Sequence, residues 1–322
     1  MATVTLAESA KLAQDELIAG VIENVITVNR MFEVLPFDGI TGNALAYNRE
    51  NVLGAVATTG VDGGDGVIGP GASGTNQAER LAAKDAATFT QISTSLTTIL
   101  GDAEVNGLIQ ATRSSDGNDQ TAVQIASKAK SAGRKYQDMF INGDGTNFTF
   151  NGLISLCAAG QQVTPQTNGQ ALSFDILDEL LDLVIDKDGD VDYFTMHART
   201  IRAYNALLRG LGGASISDVI KLPSGREVPA YRQVGIFRND YIPINQTQGT
   251  ETAATTIFAG TLDDGSRQQG IAGLTAEQMA GISVVDVGES ENSDEHIWRV
   301  KWYCGLALFS EKGLACAAGV SN

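Results

Sequence analysis

The chain has 322 residues, of which 43% are hydrophobic and 19% are charged, and its formal net charge is −16. This length allows one large or two ordinary domains, and the composition excludes a disordered chain. A protein whose main function is to bind nucleic acid needs a positively charged face, and the overall composition, with 22 Lys and Arg against 38 Asp and Glu, shows no excess of positive charge. No apolar run approaches the ~20 residues that cross a membrane, and Met1–Thr5 does not begin a signal peptide.

The first predicted element is an amphipathic helix over Leu6–Ile26. Its apolar residues fall on one stripe: Leu6, Ala10, Ala13, Leu17, Val21 and Val25. Such a helix must bury this stripe, and the residues leave open whether it packs on its own domain or on another molecule.

Two strands flank a glycine-rich stretch. Gly42–Arg49 alternates, with Tyr47 and Arg49 on one side, and residues 60–74 contain seven glycines, which predicts a turn-rich tip. Thr88–Leu100 predicts a second strand, and one face of it carries Thr90, Ile92, Thr94, Leu96 and Thr98. If the two strands pair, they form a long hairpin that is mostly polar on both faces. An isolated hairpin of this kind has only marginal stability in water. The alternative is a glycine-rich surface loop.

The longest predicted helix covers residues 119–142, about 24 residues or roughly 36 Å. Its main stripe consists of Ala122, Ala126, Ala129, Gly133, Tyr136 and Phe140. The helix stops at Asn142-Gly143-Asp144-Gly145, because glycine readily takes the left-handed conformation of a helix end. An apolar return follows over Phe148–Leu156 and contains Gly152-Leu153.

Further elements follow this return. Phe174–Ile185 predicts a helix with Ser173 as its N-cap, and its apolar face carries Phe174, Leu177, Leu181 and Val184 with Ile185 beside them. Tyr193–His197 predicts a buried strand, and Arg199–Leu211 the next helix. The last long strand is Ile297–Cys304, and the apolar tail Gly305–Phe309 comes after it.

No motif predicts an enzyme or a cofactor. Asp186, Asp188 and Asp190 alternate as in a calcium loop, but Val191 and His197 stand where that loop needs glycine and a bidentate acid. A solvated turn is therefore favoured, with these aspartates as weak metal candidates only. The three cysteines have no CxxC spacing, which favours buried reduced thiols, and no GxSxG elbow or phosphate-binding glycine loop occurs.

The order of these elements resembles the major capsid proteins of tailed bacteriophages, whose Hong-Kong-97-type fold is shared with encapsulins. The resemblance depends on the long helix with its Asn-Gly-rich end, the Gly152-Leu153 return, and the closing strand followed by Gly305–Phe309. It implies an α+β fold with an N-terminal arm (1–41), an extended β-hairpin or E-loop (42–100), a peripheral domain (101–155 and 271–304) that contains the spine helix, and an axial domain (156–270 and 305–322).

The resemblance also implies a function. The chain is expected to self-assemble through hexamers and pentamers into an icosahedral phage head that encloses double-stranded DNA without binding it specifically. A portal protein is an expected partner, with scaffolding and decoration proteins as further ones. Since no long charged segment precedes the first helix, a scaffold is expected to be a separate protein, or the chain to be already processed. The expected location is the virion, assembled in the host cytoplasm.

In this family the arm and the hairpin lie across neighbouring subunits. The residues expected to contact another copy are Leu6, Leu17, Val21, Tyr47, Arg49, Phe89, Ile92 and Leu96. Some relatives join a lysine of the hairpin to an asparagine of a neighbour, and Lys84 is the lysine of the predicted hairpin.

Two other functions remain open at this point. An encapsulin-like compartment would have the same fold and a protein cargo. A monomeric calcium-dependent binding module would instead use the aspartate turn at 186–192.

Overall fold

The computed structural model describes residues 30–53, 87–113, 120–163, 166–185, 189–210 and 218–321. In these ranges the α-helices are α1 (Gly107–Arg113), α2 (Gln120–Asn142), α3 (Leu153–Leu156), α4 (Phe174–Ile185) and α5 (Ala198–Gly210). Short 3-10 helices cover Arg30–Glu33, Ala159–Gln161, Glu277–Met279 and Glu311–Gly313.

The described ranges also contain the strands of three sheets. The first eight strands are β1 (Phe37–Ile40), β2 (Ala44–Val52), β3 (Thr88–Ser95), β4 (Thr97–Asn106), β5 (Gln162–Val163), β6 (Gln170–Ala171), β7 (Tyr193–Met196) and β8 (Asp218–Lys221). The others are β9 (Glu227–Tyr231), β10 (Val234–Arg238), β11 (Gln246–Gln248), β12 (Glu251–Gly260), β13 (Ile271–Ala276), β14 (Ser283–Glu289), β15 (Glu295–Leu308) and β16 (Leu314–Ser321).

Strand β15 organises the first sheet, whose order is β1-β13-β15-β14 with β4 also paired to β15. The sequence predicts that this strand stops at Cys304, and this boundary is wrong because pairing with β13 continues to Leu308. Leu306 and Leu308 face the core beneath α2, whereas Ala307 faces the base of the β2–β3 hairpin. With both faces covered, the strand no longer needs polar residues at alternate positions.

The predicted long helix is confirmed as α2, which we call the spine helix. Its buried residues lie in the C-terminal half: Ala132, Tyr136, Met139, Phe140 and Ile141. Ala122 and Ala126, which the sequence places on the buried stripe, are exposed. The stripe is therefore correct only where the helix contacts the core, because small residues give the same periodicity whether or not a neighbour covers them.

The second sheet has the order β5-β16-β12-β7-β10-β9-β8, with β11 paired to β12 and β6 to β16. Helix α4 has the predicted bounds, and the Ser173 hydroxyl caps it by accepting the backbone N–H of Ile176 at 3.4 Å. Its buried face contains Ile176, Leu177, Leu180, Leu181 and Val184. Ile185, predicted to lie beside this face, is exposed because it is the last residue of the helix.

The two sheets share buried residues. Phe140 of the spine helix, Phe258 of β12 and Leu306 of β15 belong to one hydrophobic cluster. Residues 30–40, the end of the predicted arm, also join their own chain, since Met31 and Leu35 are buried and β1 pairs with β13. Strand β15 crosses the predicted boundary at residue 304, and the division into peripheral and axial domains stays a prediction.

Candidate subunit-contact surface

The hairpin of β2 and β3 forms a sheet of its own, apart from the two larger sheets. Tyr47 lies opposite Ile92, and Glu50 opposite Phe89, in the antiparallel register. The predicted alternation is confirmed in β2, where Leu45, Tyr47 and Arg49 are half-buried between exposed residues. A two-stranded ribbon whose outer edges pair with no other described strand is the kind of element that binds another surface.

The second predicted strand is interrupted. Residues 88–95 pair with β2, whereas residues 97–106 leave the hairpin and pair with β15. Leu96 lies between the two strands, and beyond it Ile99 becomes buried while Thr98 is exposed. The prediction of one continuous face from Thr90 to Thr98 is therefore wrong after Leu96, because the strand changes partner there.

Aromatic and aliphatic side chains fix the base of the hairpin to its own chain. Leu45, Tyr47 and Leu96 pack on a small cluster made of Ile40, Ala272, Leu274, Ala307 and Phe309. The Tyr47 hydroxyl donates to the Leu308 carbonyl at 2.6 Å, and its ring meets the Phe309 ring edge-on at 5.4 Å. The hydroxyl bond and the ring contact together set the direction in which the hairpin leaves the first sheet.

Arg49 reinforces this anchor. Its Nε donates to the Phe309 carbonyl at 2.8 Å, another nitrogen donates to the Leu308 carbonyl, and Nη1 lies 2.6 Å from Glu311 Oε1. Only 13% of the arginine side chain is exposed, so its charge needs these partners. The sequence reasoning missed this role for Tyr47 and Arg49, and a contact of either residue with another copy stays a prediction.

The part of the hairpin farthest from this anchor, at the limit of the described residues, has the opposite character. Val52, Leu53 and Phe89 are 60%, 76% and 66% exposed, and we call these three residues the hairpin end. Phe89 is one of the predicted contact residues, whereas the sequence reasoning missed Val52 and Leu53. Their signal in the sequence is an apolar pair that lies shortly before the glycine-rich stretch at 60–74. Ile92 is half-buried, on the same side as Tyr47.

Several candidate residues lie outside the described part of the chain. These are Leu6, Leu17 and Val21 of the predicted arm, Lys84, and the calcium-loop residues Asp186 and Asp188. The predictions made for them stay predictions. Of the third candidate ligand, Asp190, one carboxylate oxygen accepts the N–H of Val191 at 2.9 Å. In the described ranges, no three His, Cys, Asp or Glu side chains come together as metal ligands would.

The cysteine thiols are buried, as the sequence predicts. Burial raises the pKa of Cys304 to about 12. The neighbouring Cys316 sulfur and burial together raise the pKa of Cys157 far above its usual range. At neutral pH Cys157 and Cys304 are therefore strongly favoured as thiols, and the thiolate that reacts or binds metal is scarce at these two positions.

The described histidines do not form a catalytic pair. His296 Nε2 lies 2.7 Å from Asp286 Oδ1 at an exposed position on β15 and β14. Burial lowers the pKa of His197, whose Nδ1 accepts the backbone N–H of Arg199. Among the described residues, no helix combines the length and the hydropathy that a membrane span requires.

The model of the family described as "Type 2A encapsulin shell protein SrpI-like" matches residues 119–320, well over half of the 322 residues. The matched region runs from the spine helix through both large sheets. No curated protein sequence matches the chain.

Solved structures share the fold along the whole chain. The holo-SrpI encapsulin complex from Synechococcus elongatus PCC 7942 is 19% identical with a TM-score of 0.72, and the match covers 100% of this chain and 97% of that one. The capsid of a native GTA particle is 12% identical with a TM-score of 0.64, and Microbacterium phage Oxtober96 is 15% identical with a TM-score of 0.61. Both of these matches cover 100% of each chain.

These similarities confirm the resemblance drawn from the long helix, its Asn-Gly-rich end and the closing strand. The mixed α+β architecture is confirmed with it. Because the family match spans residues 119–320, the chain belongs to the SrpI-like family of type 2A encapsulin shell proteins, and it has the Hong-Kong-97-type fold of phage capsids.

Proposed function

We propose that this chain is the major subunit of a closed icosahedral shell, and that this shell is a phage head around double-stranded DNA. The observation that carries the proposal is the hairpin, whose base is fixed to its own chain while its end exposes Val52, Leu53 and Phe89. Exposed apolar residues on a ribbon whose edges pair with no other described strand mark an interaction surface. In the proposed shell, the neighbouring copy provides that surface.

The mechanism is mechanical. Each copy contributes one hairpin end and receives another, so the same contact repeats around every hexamer and pentamer. A single contact of this kind is weak, but a closed symmetric array engages many of them at once. The anchor made by Tyr47 and Arg49 presents each hairpin at a fixed angle, which reduces the entropy lost when copies associate.

The formal net charge of −16 fits a shell that encloses DNA without binding it specifically. Acidic surfaces repel the phosphate backbone, so the packaged molecule does not adhere to the inner wall. Similarity to capsid structures over their full length supports this content. A portal, a scaffold and decoration proteins are the partners that such a head would use, and the virion is its location.

A second candidate is a compartment for protein cargo. The family match over residues 119–320 and the similarity to the holo-SrpI encapsulin complex favour it. Both candidates predict a shell, and they differ in what the shell contains.

Assembly is tested first. The purified chain should sediment as particles far larger than its 33.8 kDa monomer, and negative-stain micrographs should show closed shells of uniform size. A chain that stays monomeric at high concentration would overturn the proposal. It would favour the calcium-binding module, for which a chelator should then lower the melting temperature.

The content is tested on particles recovered from the cells that produce them. A phage head should yield double-stranded DNA that survives nuclease added outside the particles and becomes digestible once they are opened. Particles that hold a defined protein and no nucleic acid would overturn the phage head and support the cargo compartment.

The Lys84 cross-link has its own test. Particles dissolved in hot detergent should give ladders of joined chains if lysine and asparagine side chains have formed isopeptide bonds. The substitution Lys84→Arg should then leave single-chain bands only. Wild-type particles that already run as single chains would exclude the reaction.

A further inference from the structure

A tight loop after the spine helix presents an aromatic side chain to solvent. We call residues 143–151 the spine-end loop. Phe148 in this loop is 95% exposed, the largest exposure among the large hydrophobic residues that the structure describes. Exposed apolar side chains are common, but a phenylalanine ring so nearly free of neighbours is a candidate contact residue.

The loop that carries Phe148 is held by hydrogen bonds. The Asp144 carboxylate accepts the Thr146 backbone N–H at 3.0 Å, the Thr146 hydroxyl at 2.7 Å and the Thr149 hydroxyl at 3.0 Å. These bonds, the Thr146 hydroxyl first, lower the pKa of Asp144. Asp144 and Asn151 are also joined by backbone pairing that closes the loop. The ring is therefore displayed from a fixed backbone, which makes it a preorganised contact.

The backbone at this position is strained. Phe148 has a φ of 62° and Asn147 a φ of 49°, and both lie in the left-handed region. Asparagine tolerates this region, whereas phenylalanine does so at a cost in energy. In the single chain, Phe148 therefore costs free energy in two ways: its apolar ring is exposed to water, and its backbone is strained. This combination is typical of a residue whose contact forms only with a partner.

The same chain has a matching cavity beside the spine helix. It has a volume of about 680 Å³, and we call it the aromatic pocket; its lining includes Phe32, Phe37, Gly133, Tyr136, Ile282 and Trp302. The Tyr136 and Trp302 rings lie 4.6 Å apart at its wall, and Phe37 and Ile282 are partly exposed. The pocket is thus apolar, open and large enough for an aromatic ring.

Gly133 keeps this pocket open on the helix side. A Cβ atom built at Gly133 would have no heavy atom of another described element within 4 Å, so there is free space for it beside the helix. Glycine in the middle of a helix is destabilising relative to alanine, and the helix therefore gains no stability from it. Free space above a helical glycine fits a position that a group from outside the chain approaches.

We propose that Phe148 of one copy enters the aromatic pocket of a neighbouring copy. This inference rests on the proposed shell and specifies one of its contacts. A protruding ring and an apolar pocket on different parts of one chain make a head-to-tail contact, the type that generates rings and closed arrays. Aromatic rings in the wall give an entering phenyl group edge-to-face partners. The occupant is a second copy because every copy in the shell carries both features.

Two substitutions test the contact without harming the fold. Phe148→Asn removes the ring and suits the left-handed backbone, so the isolated chain should melt no lower than wild type. Gly133→Leu fills the pocket from the helix and raises helix propensity. Each should raise the concentration needed for half-assembly at least about tenfold, measured by light scattering and sedimentation. Ala126→Leu, which adds the same side chain at an exposed position of the same helix, is the matched control and should assemble like wild type.

A cross-link tests the register. Copies carrying Phe148→Cys are mixed with copies carrying Gly133→Cys, allowed to assemble, and treated with a short bismaleimide. The native cysteines are buried and should not react. A band of two joined chains should appear in the mixture and not with either variant alone.

The possible outcomes separate this contact from the shell itself. If wild type assembles, both variants assemble equally well and no joined band forms, the contact is overturned and the shell stands. If wild type does not assemble, the shell is overturned, and the contact falls with it unless the mixture still cross-links. If Gly133→Leu destabilises the isolated chain and no cross-link forms, the pocket belongs to another part of the same chain, such as residues 1–29, and the contact is overturned.

Discussion

The base and the end of the β2–β3 hairpin belong to one ribbon, but their surroundings are opposite. At the base, Tyr47 and Arg49 are half-buried and bonded to the carbonyls of Leu308 and Phe309. At the end, Val52, Leu53 and Phe89 have most of their surface in solvent. Substitutions at the base should therefore change the stability of the single chain, whereas substitutions at the end should change only association.

The largest effect is expected at the base, from Tyr47→Ala. It removes the ring packed on Phe309 and the bond to the Leu308 carbonyl, and should lower the free energy of unfolding by about 3 kcal/mol. Urea unfolding of the unassembled chain measures this loss. Tyr47→Phe keeps the ring and loses only the hydroxyl, so about 1 kcal/mol is expected for this control.

A loss of unfolding free energy below about 1 kcal/mol for Tyr47→Ala would contradict the proposed difference between the base and the end of the hairpin. It would mean that the base is not anchored in the single chain. Tyr47 would then be free to contact another copy, as the sequence reasoning expects.

The next effect is expected at the hairpin end, from Leu53→Asp. A charge in a buried contact between copies should weaken it by about 2 kcal/mol, or roughly 30-fold in the concentration needed for assembly. The unfolding free energy of the single chain should stay within about 0.5 kcal/mol of wild type, because Leu53 is exposed there. Sedimentation and urea unfolding measure the two quantities.

Ser93→Asp adds the same charge to the exposed outer face of the hairpin and should assemble more readily than Leu53→Asp. Equal assembly of the two variants would show that the exposed apolar group at the hairpin end contributes nothing specific to the shell.

A smaller effect is expected from Arg49→Ala. It removes hydrogen bonds to the Leu308 and Phe309 carbonyls and should cost about 1.5 kcal/mol of unfolding free energy. Arg49→Lys is the control, because lysine keeps the charge near Glu311 but cannot form the planar fork. In urea unfolding, the stability of Arg49→Lys should lie between that of Arg49→Ala and that of wild type. If Arg49→Lys is as stable as wild type, the contribution of Arg49 comes from its charge and not from its hydrogen-bond geometry.

The sequence predicts the elements whose pattern is local. The bounds of α4, its Ser173 cap and the alternation of β2 follow from side-chain period and capping chemistry, which act over a few residues. The length of the spine helix is found for the same reason. The predicted left-handed glycine at its end is wrong for Gly143, which lies outside that region; it must be glycine because a Cβ there would overlap the Phe150 carbonyl oxygen of the returning chain.

Features that depend on distant partners are the ones that sequence reasoning misses. Ala122 and Ala126 fit the stripe of the spine helix, but both are exposed, because no other described element packs over them. Leu96 ends one pairing and begins another, which only the position of β15 determines. Arg49 reads as a polar residue of a hydrated strand until Leu308 and Phe309, some 260 positions away, are placed beside it.

The smallest effect concerns pH and the strand that continues the hairpin into the first sheet. Asp102 on β4 and Arg299 on β15 share two hydrogen bonds of 2.8 Å each. The Arg299 hydrogen bond, more than its charge, lowers the pKa of Asp102 below its ordinary value of 3.8, although burial opposes the shift. A carboxyl group with a lower pKa in the folded state stabilises the protein above its unfolded pKa, and this stabilisation is lost as pH falls through the folded pKa.

Asp102→Asn should therefore be slightly less stable than wild type at pH 7, and the two should become equal as pH falls below about 3.8 and the wild-type carboxyl gains its proton. The difference should be small because both side chains are partly exposed and water screens the pair. Melting temperatures of both chains across this pH range measure it. A difference that persists in acid would show that Asp102 acts through its shape and neutral hydrogen bonds, so that the hairpin is held at its base by packing and by Arg49, with no contribution from this ion pair.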